Sequence, residues 1–375
     1  MNLQNKILRL FKFVKGLIRL SENLCKDRGV TVFDKFTSNF LGYFFLYHYG
    51  KYIKKLPEFI YLYAVQYLGE IISLVVAVSW TITALFADKA SHRLGSMSAN
   101  VIRLVLAVFF LAAILWVGIG RPYPAFADGK AWLWLSASAV VGYVFGDTCL
   151  FNCYLSIGAR FGQLLMTLAP PMAAFAGWAI LGESLSWKSG LAMIVTLSGI
   201  GISILSRGNG STVRLTLPLK GILLGLGAGL GQGVGLVLSK VGMEHYAAAI
   251  PADAPEAMGT LLPFASTMIR ALIGSAGFLL LMALKHKTRE LKAASHDGKG
   301  LRYALIMTVF GPVVGVSLSL MAVRYTSAGI ASTLMALTPV FILIPYAFIF
   351  HQRISPREIL GVLVSMAGVA MFFLL

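Results

Sequence analysis

Residues 159–205 read ARFGQLLMTLAPPMAAFAGWAILGESLSWKSGLAMIVTLSGIGISIL, and this stretch decides the fold. Two apolar runs flank a short polar hinge at residues 182–188. Each run has about the length that a helix needs to cross a bilayer, roughly 20 residues. The stretch therefore predicts two consecutive transmembrane helices.

The same pattern returns at residues 328–374, at an offset of 169 residues. The block Leu-Met-x-Leu-x-Pro stands in both copies, and a self-similarity of this length indicates a duplicated chain. The matching pairs are Met166 and Met335, Pro170 and Pro339, Ser186 and Ser355, and Gly199 and Gly368.

The composition predicts an all-α polytopic membrane protein. Hydrophobic residues make up 58% of the 375 residues, charged residues only 13%, and the mean hydropathy is +0.79. Soluble proteins carry about 25% charged residues. The apolar runs are too long and continuous for the alternating strands of a membrane β-barrel. We expect a multi-pass protein of the cytoplasmic (inner) membrane, with the lipid bilayer as its partner.

The net charge of +17 does not indicate nucleic-acid binding. The cations lie in the N-terminal segment and in the links between apolar runs, where they anchor helices at the headgroups. Cys149 and Cys153 share a helix face, but no further Cys or His lies near them to complete a tetrahedral zinc site. We therefore predict no nucleic-acid partner, no metal and no cofactor.

Three segments are expected along the chain. Residues 1–68 form a basic extension, in which residues 5–20 have the amphipathic pattern of an interfacial helix. Residues 69–206 and 218–375 each contain five apolar runs. An odd number of spans inverts the second copy relative to the first, an arrangement found in many secondary transporters. The ten expected spans are 70–87, 100–119, 131–154, 161–181, 189–205, 221–239, 264–284, 303–323, 329–350 and 358–375.

These motifs resemble the drug/metabolite transporter superfamily, and specifically its EamA type. The resemblance covers the chain from about residue 69 to the C-terminus, and the second copy has Gln352 where the first has Glu183. It implies a secondary carrier, often an exporter, with a central cavity between the two halves. The motifs that carry it are Trp80, Arg103, Gly146-Asp147, Leu168-Ala169-Pro170, Leu181-Gly182-Glu183-Ser184-Leu185, Gly190 and Gly199, followed by Gln232, Arg270, Leu337-Thr338-Pro339, Gly361 and Gly368.

Asp147 is the first candidate for a functional residue, because a carboxylate inside an apolar span is costly to bury. It is a candidate proton relay or partner for a cation; the structural alternative is a capped aspartate that bonds a neighbouring helix. Tyr143 lies on its helical face, four residues earlier. The full set of substrate or coupling candidates is Asp147, Trp80, Tyr143, Tyr154, Asn152, Arg103, Arg270 and Gln232.

Arg103 and Arg270 occupy matching positions near the expected starts of spans two and seven. They either snorkel to the headgroups or form a paired gate or anion clamp. Pro170 and Pro339 interrupt helices in mid-span, where breaks either border a binding site or kink the helix for packing. Glu183 lies in the hinge between spans four and five and is expected to cap the next helix.

Span six carries glycines at a spacing of four on two faces, which predicts close helix packing. Gln232 is the polar side chain within this span that is expected to face the cavity, near the place that Trp80 takes in the first copy. The packing glycines are Gly221, Gly225, Gly229 and Gly233 on one face, and Gly227, Gly231 and Gly235 on the other.

The leading hypothesis is a secondary active transporter that moves small metabolites or amphipathic compounds by alternating access, with protons as the candidate coupling ion. A nucleotide-sugar or phosphorylated-sugar exchanger of the same fold is the alternative, and a non-transport membrane protein is a further one. No hydrolase or metalloprotease motif indicates an enzyme. The basic links after spans five, seven and nine favour termini outside the cell, whereas the resemblance implies cytoplasmic termini.

Overall fold

The computed structural model describes residues 67–182, 186–205, 218–255 and 257–343, with short runs between residues 345 and 371. The ordered elements in these ranges are all helices. The expected N-terminal helix, Glu183 and Gln352 lie outside the described residues. The helices are α1 (Leu68–Leu94), α2 (Ser96–Ile119), α3 (Gly129–Ala159), α4 (Met166–Leu181), α5 (Trp187–Leu205), α6 (Leu219–Ala249), α7 (Ala257–Leu284), α8 (Thr288–Ala294), α9 (Gly298–Tyr325) and α10 (Ala328–Phe341).

Six of these helices are long and apolar enough to cross a membrane, namely α1, α2, α3, α6, α7 and α9. α4 and α10 are shorter apolar helices, and residues Gly190–Gly199 of α5 form another. Large apolar side chains such as Phe109, Trp116 and Trp178 are exposed on the outside. An outer surface of this kind suits lipid, because hydrocarbon offers no hydrogen-bond partners. The chain is a multi-pass helical membrane protein.

Helix α7 begins seven residues before the expected start at residue 264. Pro251, Pro255 and Pro263 lie between the expected spans 221–239 and 264–284, but Pro263 is inside the helix. Pro263 has no amide hydrogen to donate to the Gly259 carbonyl, but the Arg324 side chain of α9 donates to that carbonyl over 2.6 Å. A neighbouring polar group of this kind makes proline tolerable in a membrane helix. This correction shifts Arg270 from a helix end to the middle of α7.

The duplication, with its offset of 169 residues, is also present in the secondary structure. The first part of α3 is an α-helix over Gly129–Ala139 and then a π-helix over Val140–Asp147. The first part of α9 is an α-helix over Gly298–Thr308 and then a π-helix over Val309–Val316. The first and last residues of both segments in α9 lie 169 residues after those of the matching segments in α3. The duplicated sequence therefore encodes the same helical irregularity twice.

Matching aspartates cap these two helices. Asp128 accepts from the Ala131 amide, and Asp297 accepts from the Lys299 and Gly300 amides. Asp297 is also bound by Arg93 at 2.8 Å. The Arg93 guanidinium and the Gly300 amide hold the pKa of Asp297 below its usual range. The stability from this contact is thus present at neutral pH and is lost as the pH falls through the lowered pKa.

Helices from the two copies pack against each other in antiparallel pairs. Along α1 and α9, Arg93 lies at Asp297 and the Ser79 hydroxyl donates to the Phe310 carbonyl over 2.6 Å. At the other end, Gly69 lies against Thr326. Along α3 and α6, the contacts run from Ser156 with Gly221 to Leu135 with Gly242. Along α2 and α7, they run from Leu104 with Gly274 to Gly118 with Leu261.

The glycines of α6 allow this close packing. A Cβ at residue 231 would lie 2.7 Å from the Gly146 Cα, and one at residue 235 would lie 2.9 Å from the Gly142 Cα. On the second face, a Cβ at residue 233 would lie 2.5 Å from the Ala169 carbonyl oxygen. Gly229 and Gly233 therefore contact α4, whereas Gly231 and Gly235 contact α3, which confirms the close packing that the spacing predicts.

We expect Gly231→Ala to destabilise the protein by about 1–3 kcal/mol, because its methyl group meets backbone that has no rotamer to yield. Gly259→Ala in the first turn of α7 is the matched control, since no atom lies within 4 Å of its Cβ position. Thermal unfolding in detergent measures both variants. Equal melting temperatures for the two would contradict the close approach.

Candidate functional site

A cavity of about 40 Å³ lies where helices of both copies meet, which is room for a few water molecules. Broken helices surround it. In α4 a 3₁₀ turn over Met166–Leu168 precedes an α-helix that starts with Ala169 and Pro170, and in α10 a break separates Ala328–Met335 from Thr338–Phe341. The lining residues are Trp80, Gln163, Met166, Ala169, Pro170, Gln232, Leu236, Arg270, Val316, Ser319, Ser332, Met335, Ala336, Thr338 and Pro339.

Asp147 is the last residue of the π-helix in α3, and its side chain is buried. Its carboxylate accepts a short hydrogen bond from Arg103 of α2. It accepts a second one from the Gln232 side-chain amide of α6, over 2.7 Å. Gln232 also donates to the Gly142 carbonyl over 3.2 Å. Asp147 thus joins both copies through a charged pair and an amide.

Both arginines are buried between helices, at 4% exposure for Arg103 and 3% for Arg270. The expected location near helix ends is wrong for Arg270, which lies in the middle of α7, and snorkelling describes neither side chain. The Tyr143 ring centre lies 5.7 Å from the Arg103 guanidinium carbon and 4.5 Å from that of Arg270. Phe151 lies 5.1 Å from Arg103. Aromatic faces therefore partly replace water around these cations.

Trp80 and Gln232 occupy equivalent places in the two copies. A Cβ at residue 315 would lie 2.8 Å from the Trp80 indole nitrogen, and one at residue 146 would lie 3.4 Å from the Gln232 amide nitrogen. Gly146 and Gly315 are themselves related by the offset of 169 residues. Each π-helix thus presents a glycine to one of these side chains, and both side chains line the cavity.

Asn152 and Tyr154 lie outside the cavity lining. Asn152 accepts from the Ser96 hydroxyl and donates to the Thr148 carbonyl. The Tyr154 hydroxyl accepts from Gln163, which does reach the cavity. The structure brings Asp147, Tyr143, Arg103, Arg270, Gln232 and Trp80 together, with Pro170 and Pro339 beside them.

The sequence does not predict Gln163, Ser319, Ser332, Thr338 or Val316 as site residues, but all five line the cavity. Gln163 is a polar side chain at the start of an apolar run, and this signal could have identified it. The hydroxyl residues carry no such signal, because serine and threonine commonly bond the carbonyl four residues earlier within a helix. Their place at the cavity depends on how α9 and α10 pack.

The described helices define a polytopic membrane protein with a cavity between two related halves. The EamA-like transporter family matches residues 67–205 and 219–374. The chain belongs to this family.

A relative from Clostridium kluyveri, described as an uncharacterized transporter, is 35% identical over 117 residues. The match covers 31% of this chain and 36% of that relative, so the chain spans about a third of the relative's length. A protein of known crystal structure superposes with a TM-score of 0.59 at 14% identity, over 82% of this chain and 97% of the other. This likeness shows a shared helical fold.

We expect Arg103→Met to destabilise the protein by about 3–5 kcal/mol, because it leaves the buried Asp147 carboxylate without its cation. The double variant Arg103→Met/Asp147→Asn removes both charges and should recover at least half of that loss. A double-mutant cycle of unfolding free energies in detergent measures the coupling. Additive losses would show that the two side chains do not act as a pair.

Proposed function

We propose that this protein is a secondary active transporter which exports small metabolites or amphipathic compounds across the cytoplasmic membrane, without altering them chemically. The observation that carries the proposal is the small cavity enclosed by broken helices of both copies, next to a buried arginine–aspartate pair. Helix breaks and intramembrane charges border substrate sites in many carriers. Membership of the EamA-like transporter family supports the same function.

We further propose that the protein has ten spans in two inverted repeats, residues 69–206 and 218–375, after an extension over residues 1–68. The antiparallel contacts support the inversion. If α2 crosses the membrane back between them, α1 and α3 run in the same direction. Helix α9 is antiparallel to α1 and helix α6 is antiparallel to α3, so α6 runs opposite to α1. The first helix of each copy then crosses the membrane in an opposite sense, as an in-plane two-fold axis requires.

Spans one to nine of this arrangement are α1 to α7, α9 and α10, with α8 as a link. The described residues between 356 and 371 are helical and supply the tenth. Gly368 lies against the Thr196 backbone, because a Cβ there would be 2.6 Å from the Thr196 nitrogen. The last span thus packs against α5, its counterpart in the first copy.

Alternating access requires that the seam between the copies opens and closes. The seam of α3 and α6 is built mainly from glycine contacts and the hydroxyl pair Ser138 and Ser239 at 2.6 Å, and the hydrogen bonds of Gln232 also cross it. Helices that meet through small side chains can slide past each other, because few large side chains have to change their rotamers. Motion at one end of this seam would change the access of substrate to the cavity.

A disulfide across this seam tests the motion. In a background free of Cys25, Cys149 and Cys153, Ser138→Cys and Ser239→Cys place two thiols where hydroxyls now touch, within reach of a disulfide. We expect oxidation to abolish transport in proteoliposomes and a reductant to restore it. The Ser239→Cys single variant is the control. Full activity in the oxidised double variant would overturn alternating access at this seam.

We also propose that Asp147 carries the coupling proton. Protonation removes the charge that holds Arg103, and so links proton binding to the contact between α2 and α3. With a pH gradient across the same proteoliposomes, Asp147→Asn should lose the gradient-driven component and keep downhill exchange. Asp253→Asn, on an exposed turn, is the charge-matched control. An unchanged response to the gradient in Asp147→Asn would remove the proton from the mechanism.

The exchanger of nucleotide sugars or phosphorylated sugars is the weaker alternative. A phosphate with two charges is usually held by several cationic side chains. Among the described residues that line the cavity, Arg270 is the sole cation. The lining is otherwise made of apolar, amide and hydroxyl side chains, which suit a substrate with a smaller charge.

The basic end of the bundle is proposed to face the cytoplasm. The Arg93–Asp297 and Ser96–Asn152 contacts place the link between α7 and α9 at the same end as the start of α2. This link is rich in lysine and arginine, as cytoplasmic links are. In a cysteine-free background, Lys287→Cys should resist an impermeant maleimide on intact cells, and Asp253→Cys at the opposite end should react. The reverse labelling would invert the orientation.

A further inference from the structure

Arg270 is a buried cation without a counterion of its own. It lies at the middle of α7, it is 3% exposed, and it lines the cavity between the copies. Its Nε atom is buried without a hydrogen-bond partner, and no described acidic side chain forms an ion pair with it. A charge inside a membrane protein is costly when it has no partner. Some interaction must therefore compensate for the cost of burying this charge.

The neighbouring groups compensate Arg270 only in part. The Tyr143 ring contributes a cation–π contact at 4.5 Å. Asp147 lies close enough to attract the guanidinium, but its carboxylate already accepts hydrogen bonds from Arg103 and Gln232. Two guanidinium groups thus share one carboxylate, and the described cluster keeps one net positive charge.

The repeat explains how this imbalance arises. Arg103 and Arg270 are related by the duplication, and Arg103 pairs with Asp147. The position equivalent to Asp147, at the end of the second π-helix, is Val316. Val316 lines the same cavity as Arg270. The second copy therefore has the cation and the site for its partner, but an apolar side chain where the acid would stand.

We propose that the missing acid is supplied by the substrate, and that the cavity binds a monocarboxylate with an apolar body and no cationic group. The planar guanidinium group of arginine can bind both oxygens of a carboxylate. A substrate with one negative charge would neutralise the one net positive charge of the cluster. Trp80, Met166 and Met335 offer apolar contacts for the body. The described residues that line the cavity include no acidic side chain, so an ammonium group would find no carboxylate among them.

This inference rests on the proposed function for the step of transport, but the binding site itself can be tested without transport. Val316→Asp places a carboxylate at the position equivalent to Asp147, and Arg270→Met removes the uncompensated charge at similar length. Each should raise the melting temperature of the ligand-free protein in detergent by about 2 °C or more. Arg103→Met should lower it. Arg289→Met, on the exposed helix α8, is the control and should leave it unchanged.

If Arg270→Met and Val316→Asp both destabilise the ligand-free protein while Arg289→Met does not, Arg270 already has a partner and the proposal fails. Val316→Asn has nearly the same shape as Val316→Asp without the charge. It separates the effect of the charge from that of polarity, and a rise in melting temperature as large as that of Val316→Asp would also overturn the proposal.

Binding is measured by the shift in melting temperature with acetate, butyrate and benzoate, and with their matched neutral amides. Benzylamine and phenylphosphonate are the cationic and dianionic probes. We expect saturable stabilisation by at least one carboxylate, none by its amide or by the amine, and loss of the shift in Arg270→Met and Val316→Asp. No shift with any carboxylate would overturn the site. A larger shift with phenylphosphonate would make phosphate-type anions the ligand and refute the monocarboxylate assignment.

Flux assays in proteoliposomes separate this inference from the proposed function. Carboxylate-dependent stabilisation without flux in the wild-type protein would leave the site intact and refute transport of these compounds. Equal flux of a carboxylate and its amide, unchanged in Arg270→Met, would support the transporter and refute the anion site. Flux of the carboxylate alone, lost in Arg270→Met, supports both.

Discussion

The close approach of α3 and α6 is the constraint on which the rest of this structure depends. Gly142 and Gly146 on one helix meet Gly235 and Gly231 on the other, and a single added methyl group would overlap backbone. Without an aqueous driving force between membrane helices, such contacts and polar bonds across the seam hold the helices together. This approach also brings Gln232 of α6 to Asp147 of α3.

The π-helices have a related role. A π-helix adds a residue to one turn, shifts the phase of the following residues and often occurs at functional sites. In α3 it ends at Asp147, and in α9 it ends at Val316. The glycines within these segments leave room for Gln232 in one copy and Trp80 in the other. The duplicated backbone thus presents two similar pockets, which their side chains make chemically different.

This difference between the copies concentrates charge on one side of the cavity. Arg103 has Asp147, whereas Arg270 contacts the Tyr143 ring and lines the cavity together with Val316. A perfectly symmetric pair of ion pairs would leave the interior neutral. With valine at position 316, a positive centre remains in a low-dielectric region, where electrostatic interactions are stronger than in water. We expect such a centre to attract an anionic partner more strongly than an exposed arginine would.

The sequence by itself determined the helical membrane class, the duplication at an offset of 169 residues and the family, because apolar length and repeat are local properties of the chain. It also indicated Asp147, both arginines, Gln232 and the two prolines as candidates, since polar groups and prolines stand out within apolar runs. It placed Arg270 near a helix end, because the prolines before α7 resemble a loop. Only the tertiary structure decided which cation Asp147 binds and which arginine lines the cavity. These contacts join residues of α2, α3, α6 and α7 that lie far apart in the sequence, and sequence periodicity does not indicate which of them meet.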